Sequence, residues 1–136
     1  MRLFLDSSVL LAAAGSTTGA SRLLIMSAQR EGWTLLASSY CVHETEHNLP
    51  KLGTKAATDW KRIIKPALAV VGTNLVLDRP LIYRAAKDRP VVITALSLRA
   101  EALLTLDRDD FHGLLGSSVY GLPIRTPGEF LKGLSR

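Results

Sequence analysis

Four carboxylates fall where a sheet-built site would collect them. Asp6 closes the apolar run RLFLD, and Asp107 closes EALLTLD. Glu44 lies in the first turns after WTLLAS, and Asp88 heads the apolar stretch RPVVITALSLRA. In open parallel sheets, sites form just beyond the carboxyl ends of the strands, so these four acids can gather at one sheet edge. Clustered carboxylates repel one another, and a divalent cation removes that cost. Magnesium and manganese prefer hard oxygen ligands, typically a few carboxylates together with substrate phosphate oxygens. The pattern therefore points to metal-assisted phosphodiester hydrolysis, with in-line displacement at phosphorus. For any single residue the plain alternative is a helix cap or turn acid. It weighs most on Asp88, because the same DRP tripeptide recurs at Asp78.

A second pattern competes for Glu44. HETEH, His43 to His47, fits the H-E-x-x-H arrangement of zinc proteases, in which two histidines one helical turn apart bind zinc and the Glu is the base. The third ligand is missing. In the extended motif Pro50 stands where a Gly belongs and Gly53 where a His belongs. No Glu occurs between Glu46 and Glu101, and His112, the remaining histidine, follows two strands later. His43 and His47 are read as exposed helix residues around one acid of a different site.

The elements that must position these acids alternate strand and helix. RLFLD, WTLLAS, NLVLD, EALLTLD and LPIRT read as five short strands. Helices are expected from Ser7 or Ser8, through SRLLIMSAQREG with Gly32 as its stop, and through SSYCVHETEHNL with Ser38 or Ser39 as its cap and an end near Pro50. TKAATDWKRIIKPALAVVG is expected to be helical, with Pro66 kinking or ending it. DRP at Asp78 and at Asp88 reads as two helix starts. RDDFHGLL is a short helix or turn, and Thr126 with Glu129 forms a capping box before the last helix. The expected architecture is a three-layer α/β/α domain over residues 1–136, with a mostly parallel sheet of about five strands.

Composition narrows the class. The chain has 136 residues, 47% hydrophobic and 21% charged, which suits one globular domain. Its net charge of +5, from 17 basic and 12 acidic residues, favours polyanionic partners. A single cysteine, Cys41, excludes an internal disulfide framework and a Cys-based zinc site. Asp6 and its two serines interrupt what would otherwise resemble a signal peptide, and no stretch is long enough to span a bilayer. A soluble, cytoplasmic chain with no membrane partner is expected.

With these residues in place, the chain resembles the PIN-domain family, which includes the VapC-type toxin ribonucleases. LFLDSSVLL is similar to the family's opening strand, with Ser7 after the acid and Ser8 where the family often has Asn. SSYCVHETEHNL is similar to the segment carrying the second acid, with Glu44 in the matching place and Glu46 as the alternative. KDRPVVITALSLRAEALLTLDRDDF is similar to the long signature ending in Thr-x-Asp, and supplies Asp88 and Asp107, 19 positions apart. Thr105 precedes the last acid, and Asp110 matches a further acid frequently found there. The resemblance implies a Mg²⁺- or Mn²⁺-dependent ribonuclease. In that reading Asp6, Asp88 and Asp107 surround the metal, and Glu44 acts closely or through water. Asp110 is auxiliary, while Ser7 and Thr105 orient ligands or phosphate. RNA, an antitoxin protein and a second copy of the chain are the implied partners. A module that binds RNA or protein without cutting is the alternative, because fold does not dictate function.

The remaining distinctive residues have plainer readings beside these. Trp33 and Trp60 are assigned to the core rather than to base stacking, and Cys41 to a buried small hydrophobe. Lys51, Lys55, Lys61, Arg62 and Lys65 form a solvated basic face that is also suited to an RNA backbone. Arg108, beside Asp107, is either a phosphate contact or a surface residue.

Overall fold

The structure, a computed structural model, describes residues 1–72, 89–107, 118, 119 and 121–134. Its centre is a sheet in the order β3-β2-β1-β4-β6-β5, where β1 is Arg2–Leu5, β2 Thr34–Ser38, β3 Val70–Gly72, β4 Ala102–Leu104, β5 Ser118–Val119 and β6 Leu122–Arg125. The first five in that order run parallel, and β5 pairs antiparallel with β6 at the edge. Central strands of a parallel sheet are covered on both faces and so read as unbroken apolar runs. Leu3, Phe4, Leu5, Leu103 and Leu104 are accordingly all fully buried. Truncating Phe4 to Ala would cost about 3–5 kcal/mol.

Strand order dictates the layers. From β1 the chain steps to β2 and β3 on one side, then returns past β1 to β4 and β6 on the other. Right-handed crossovers put connections that step in opposite directions on opposite faces. α1 (Ser7–Gly15), α2 (Ala20–Glu31), α3 (Ser39–Asn48), α4 (Thr54–Asp59) and α5 (Lys65–Ala67) thus cover one face, and α6 (Arg89–Ser97) the other. α7 (Pro127–Leu134) packs back onto α2, where the Phe130 ring meets Trp33 edge-on at 5.3 Å. The result is the expected three-layer α/β/α arrangement.

Local chemistry explains most boundaries. Ser38 caps α3 by accepting the Cys41 N–H at 3.0 Å. Gly32, at φ 75°, ends α2 in the left-handed conformation that glycine adopts without a Cβ clash. Thr126 and Glu129 exchange two 3.0 Å bonds in the expected capping box. α3 runs on past Asn48 into a 3₁₀ turn, Leu49–Leu52, because Pro50 at its start has no need of an N–H donor there.

The strands and helices depart from expectation in several places, and the antiparallel edge strand β5 is one that was not expected. Trp33 lies just before β2 rather than in it, with its N–H on the Ala28 carbonyl. The helix over Thr54–Ala67 passes through a π turn, Trp60–Ile64, where the Lys65 N–H reaches back five residues to the Trp60 carbonyl. That widening accommodates Pro66, which would otherwise crowd the preceding turn. The helix stops at Ala67, and Val70–Gly72, expected at its end, forms the edge strand β3 instead. NLVLD, the DRP tripeptide at Asp78, Asp88 of the second DRP, and RDDFHGLL lie outside the described residues. Among the described residues no single helix is long and apolar enough to cross a membrane.

Arg22 fastens the helical layer. Its buried guanidinium donates to the Ala13 carbonyl at 2.6 Å and the Ala14 carbonyl at 3.4 Å, two carbonyls that the end of α1 leaves without helical partners. It also pairs with Asp59 at 2.9 Å, and this bond holds the Asp59 carboxyl below the usual carboxylate range. Lys55 reaches the same carboxylate at 3.6 Å from solvent. Arg22→Ala should lower the melting temperature by several degrees, whereas Lys55→Ala should move it by no more than about 1–2 °C, as exposed pairs contribute little. Thermal denaturation of the two variants checks this ordering.

Candidate active site at the carboxyl edge of the sheet

The strand order reverses between β1 and β4, which opens a crevice at the carboxyl ends of these two strands. Asp6 follows β1 there. It occupies the N-cap position of α1, yet its side chain makes no capping bond. The carboxylate turns toward β4 and accepts from the Thr105 hydroxyl at 2.8 Å and the Ser8 hydroxyl at 3.1 Å, both on Oδ2. Cys41 Sγ stands 3.9 Å from Oδ1. Asp6 is only 7% exposed and Thr105 is fully buried, so the helix-cap reading of this acid does not hold.

The two hydroxyls also order the chain leaving β4. Thr105 Oγ1 accepts the Asp107 N–H at 3.0 Å, and Ser8 Oγ accepts the Leu106 N–H at 2.9 Å. Asp107 is thereby fixed three residues beyond the strand on the crevice edge, half-buried. On the β2 side, Glu44 Oε1 accepts from the Ser7 hydroxyl, and Glu44 Oε2 accepts from the Tyr40 hydroxyl at 3.0 Å. Asp6, Ser7, Glu44, Thr105 and the Asp107 backbone thus belong to one neighbourhood.

Glu46 is employed elsewhere. Its Oε2 accepts from Trp60 Nε1 at 2.9 Å and Lys65 Nζ at 2.8 Å, and the Lys65 hydrogen bond, followed by that from Trp60, lowers its pKa. His43 and His47 are exposed on α3, and Trp60 is buried in the core. Among the described residues no three His, Cys, Asp or Glu side chains stand close enough to hold an ion, a zinc site at HETEH included. Asp88, Asp110, Arg108 and His112 lie outside the described residues.

Two participants were not singled out from the sequence as parts of the site. Ser8 makes two of the bonds that place Asp6 and Leu106. Tyr40 stands one helical turn before Glu44, and that i, i+4 spacing was the available signal.

The sequence profile of the PIN domain matches residues 2–109. The chain belongs to the PIN-domain family. Its structure is similar to a chain in the crystal structure of VapBC2 from Rickettsia felis bound to a DNA fragment from their promoter, with a TM-score of 0.62 and 15% sequence identity. The match covers 93% of this chain and 98% of that one, and at such identity it is a likeness of fold. No curated protein sequence matches the chain.

The electrostatics of this PIN domain suit a cation in donor type. Burial raises the Asp6 pKa above the usual carboxylate value. The Thr105 and Ser8 hydroxyls and the Ser7 N–H pull it down, and the Glu44 charge adds to the rise. A carboxylate that is desolvated beside another carboxylate is stabilised by a hard divalent ion, and oxygen is the donor that magnesium and manganese prefer. Burial, followed by the nearby Asp6 charge, pushes the Cys41 thiol up to about 12.

These directions set the linkage. A carboxyl whose pKa is higher folded than unfolded binds more protons in the native state. Its contribution is therefore fully present below the ordinary carboxylate value and is lost as pH rises through the folded value. In EDTA, Asp6→Asn should raise the melting temperature by about 2–6 °C at pH 7 and by less near pH 4. Mg²⁺ or Mn²⁺ should raise that of the wild type and leave the variant unchanged. Melting curves at the two pH values check both. Cys41, fully buried and protonated, should resist iodoacetamide at pH 8 until the chain is unfolded in guanidinium, as read by mass spectrometry.

Proposed function

We propose that this PIN domain is a divalent-metal-dependent ribonuclease and the toxin of a toxin–antitoxin pair acting in the cytoplasm. The observation that carries the reading is the Asp6 carboxylate, buried at the carboxyl end of the central strand, spared from capping and set beside Glu44. In this reading Asp6, Asp88 and Asp107 hold Mg²⁺ or Mn²⁺, with Glu44 close by or acting through water and Asp110 auxiliary. A bound Mg²⁺ or Mn²⁺ supplies a nucleophilic water near neutral pH and neutralises charge on the phosphate.

The chain's own residues do the positioning. Thr105 and Ser8 both donate to Oδ2 and so fix which Asp6 oxygen faces β4, while Cys41 Sγ stands 3.9 Å from Oδ1. Ser7 and Tyr40 orient Glu44, so that a water between it and the scissile phosphate can lose a proton to its carboxylate. Attack forms one P–O bond as the bond to the ribose oxygen breaks, and the leaving oxygen is protonated by solvent. A net charge of +5 favours the polyanionic substrate.

The partner part of the proposal has a narrower support. The structural neighbour is a VapBC2 assembly, which fits an antitoxin for this chain as well. A homodimer is proposed on family resemblance.

The test is cleavage of structured and unstructured RNA in Mg²⁺, Mn²⁺, Zn²⁺ or EDTA. Wild type should cut with Mg²⁺ or Mn²⁺, Asp6→Asn should lose at least about 100-fold in rate, and His47→Ala should match wild type. No cleavage under any metal, with RNA or protein binding retained in Asp6→Asn, would instead make the chain a non-catalytic binding module.

A further inference from the structure

Tyr40 is a large aromatic on the rim of the acid site, and 43% of its surface is exposed. α3 buries Cys41, Val42 and Thr45, which leaves Tyr40 exposed and Glu44, one turn on, part-buried at the margin of that face. An exposed phenol can satisfy its hydroxyl with water. Here the hydroxyl donates to Glu44 Oε2 at 3.0 Å, while Ser7 on α1 donates to the other oxygen of the same carboxylate. The ring is thereby tethered at its far end to an acid that is itself tethered to a second helix.

A second exposed apolar side chain lies past the strand on the other side of β1. Because β1 lies between β2 and β4, Asp6 at the end of β1 is flanked by Tyr40 beyond β2 and Leu106 beyond β4. Leu106 is also 43% exposed, and its N–H is held by Ser8 Oγ. A buried carboxylate between two exposed apolar groups suits a nucleotide chain, whose phosphate seeks the polar centre and whose bases need apolar faces. Phosphate contacts place a strand without reading it, and single-stranded RNA is held chiefly by bases stacked on aromatic rings.

We propose that Tyr40 is a substrate-binding residue whose ring, tethered through its hydroxyl to Glu44, stacks on an RNA base next to the scissile phosphate. The proposal rests on the acid-site reading above. It assigns the ring to binding and the hydroxyl to orienting Glu44, and the two parts separate by substitution.

Steady-state cleavage of a single-stranded RNA oligonucleotide in Mg²⁺ or Mn²⁺ tests it with Tyr40→Phe, Tyr40→Trp and Tyr40→Ala. Tyr40→Ala should raise KM about tenfold. The two aromatic variants should keep KM within about twofold of wild type, and Tyr40→Phe should lose only in kcat. Replacing the base on one side of the cut by an abasic residue should raise KM for wild type by the same factor and add nothing to Tyr40→Ala, as expected of two groups in contact. Kd for fluorescein-labelled RNA on the Asp6→Asn background, with and without Tyr40→Ala, gives the same comparison without turnover.

An unchanged KM and Kd in Tyr40→Ala would overturn the proposal, as would an equal KM rise in Tyr40→Phe or a full effect on both abasic substrates. Weakened binding of a protein partner with RNA affinity intact would reassign the ring to a protein interface. Wild-type cleavage by Asp6→Asn would defeat the acid-site reading, and the Kd comparison would still decide the role of the ring.

Discussion

The Thr105 hydroxyl donating to Asp6 Oδ2 joins the ends of the two central strands, and the surrounding structure is arranged to let it do so. A carboxylate inside an apolar sheet is costly unless its lone pairs are met. Thr105 can meet one because β4 runs parallel to β1 in a register that opposes Leu5 to Leu104, so the residues that follow each strand emerge together. Parallel pairing in turn requires covered crossovers, and these supply the helices from which Ser7, Ser8 and Glu44 are presented. The site is thus a product of sheet order more than of any one loop.

The hydroxyls around Asp6 hold it without neutralising it. Hydrogen bonds to the carboxylate favour the charged form, burial and Glu44 oppose it, and burial prevails. The chain accepts a local loss of stability at a place where the sheet could have been closed with Asn or Leu. Sites that trade stability for chemistry characteristically show this imbalance. Nearby, Ser38, Thr126 and Glu129 spend their polar atoms on helix ends, as ordinary capping residues do.

Legibility from sequence followed the strength of the local physics. β1, β2, β4 and β6 were readable because buried parallel strands are short apolar runs with polar ends, and the caps at Ser38 and Thr126 because side chain and spacing both announce them. β3 was not, since VVG continues the apolar pattern of the helix before it, and only pairing with β2 distinguishes the two. Asp6 and Glu44 could be placed near one another from strand order alone. The choice between Glu44 and Glu46 could not, because it depends on which helix face meets Ser7 and which meets Trp60 and Lys65. Ser8 was undervalued for a related reason: a serine two residues after an acid gains its importance only when β4 delivers Leu106 to it.

The bond from Thr105 to Asp6 joins residues 99 positions apart, and that joining Ser8 to Leu106 spans 98. Closing loops of this length costs entropy that only the finished sheet repays, and contacts so distant in sequence form late in folding. During synthesis β1, β2 and the helices between them can gather before β4 has left the ribosome. The carboxylate then has neither its Thr105 donor nor the neighbouring Asp107, and its pocket is open to water. Assembly of this cluster therefore coincides with completion of the fold, so a partially made chain carries Asp6 and Glu44 without the bonds from β4 that hold Asp6 in place.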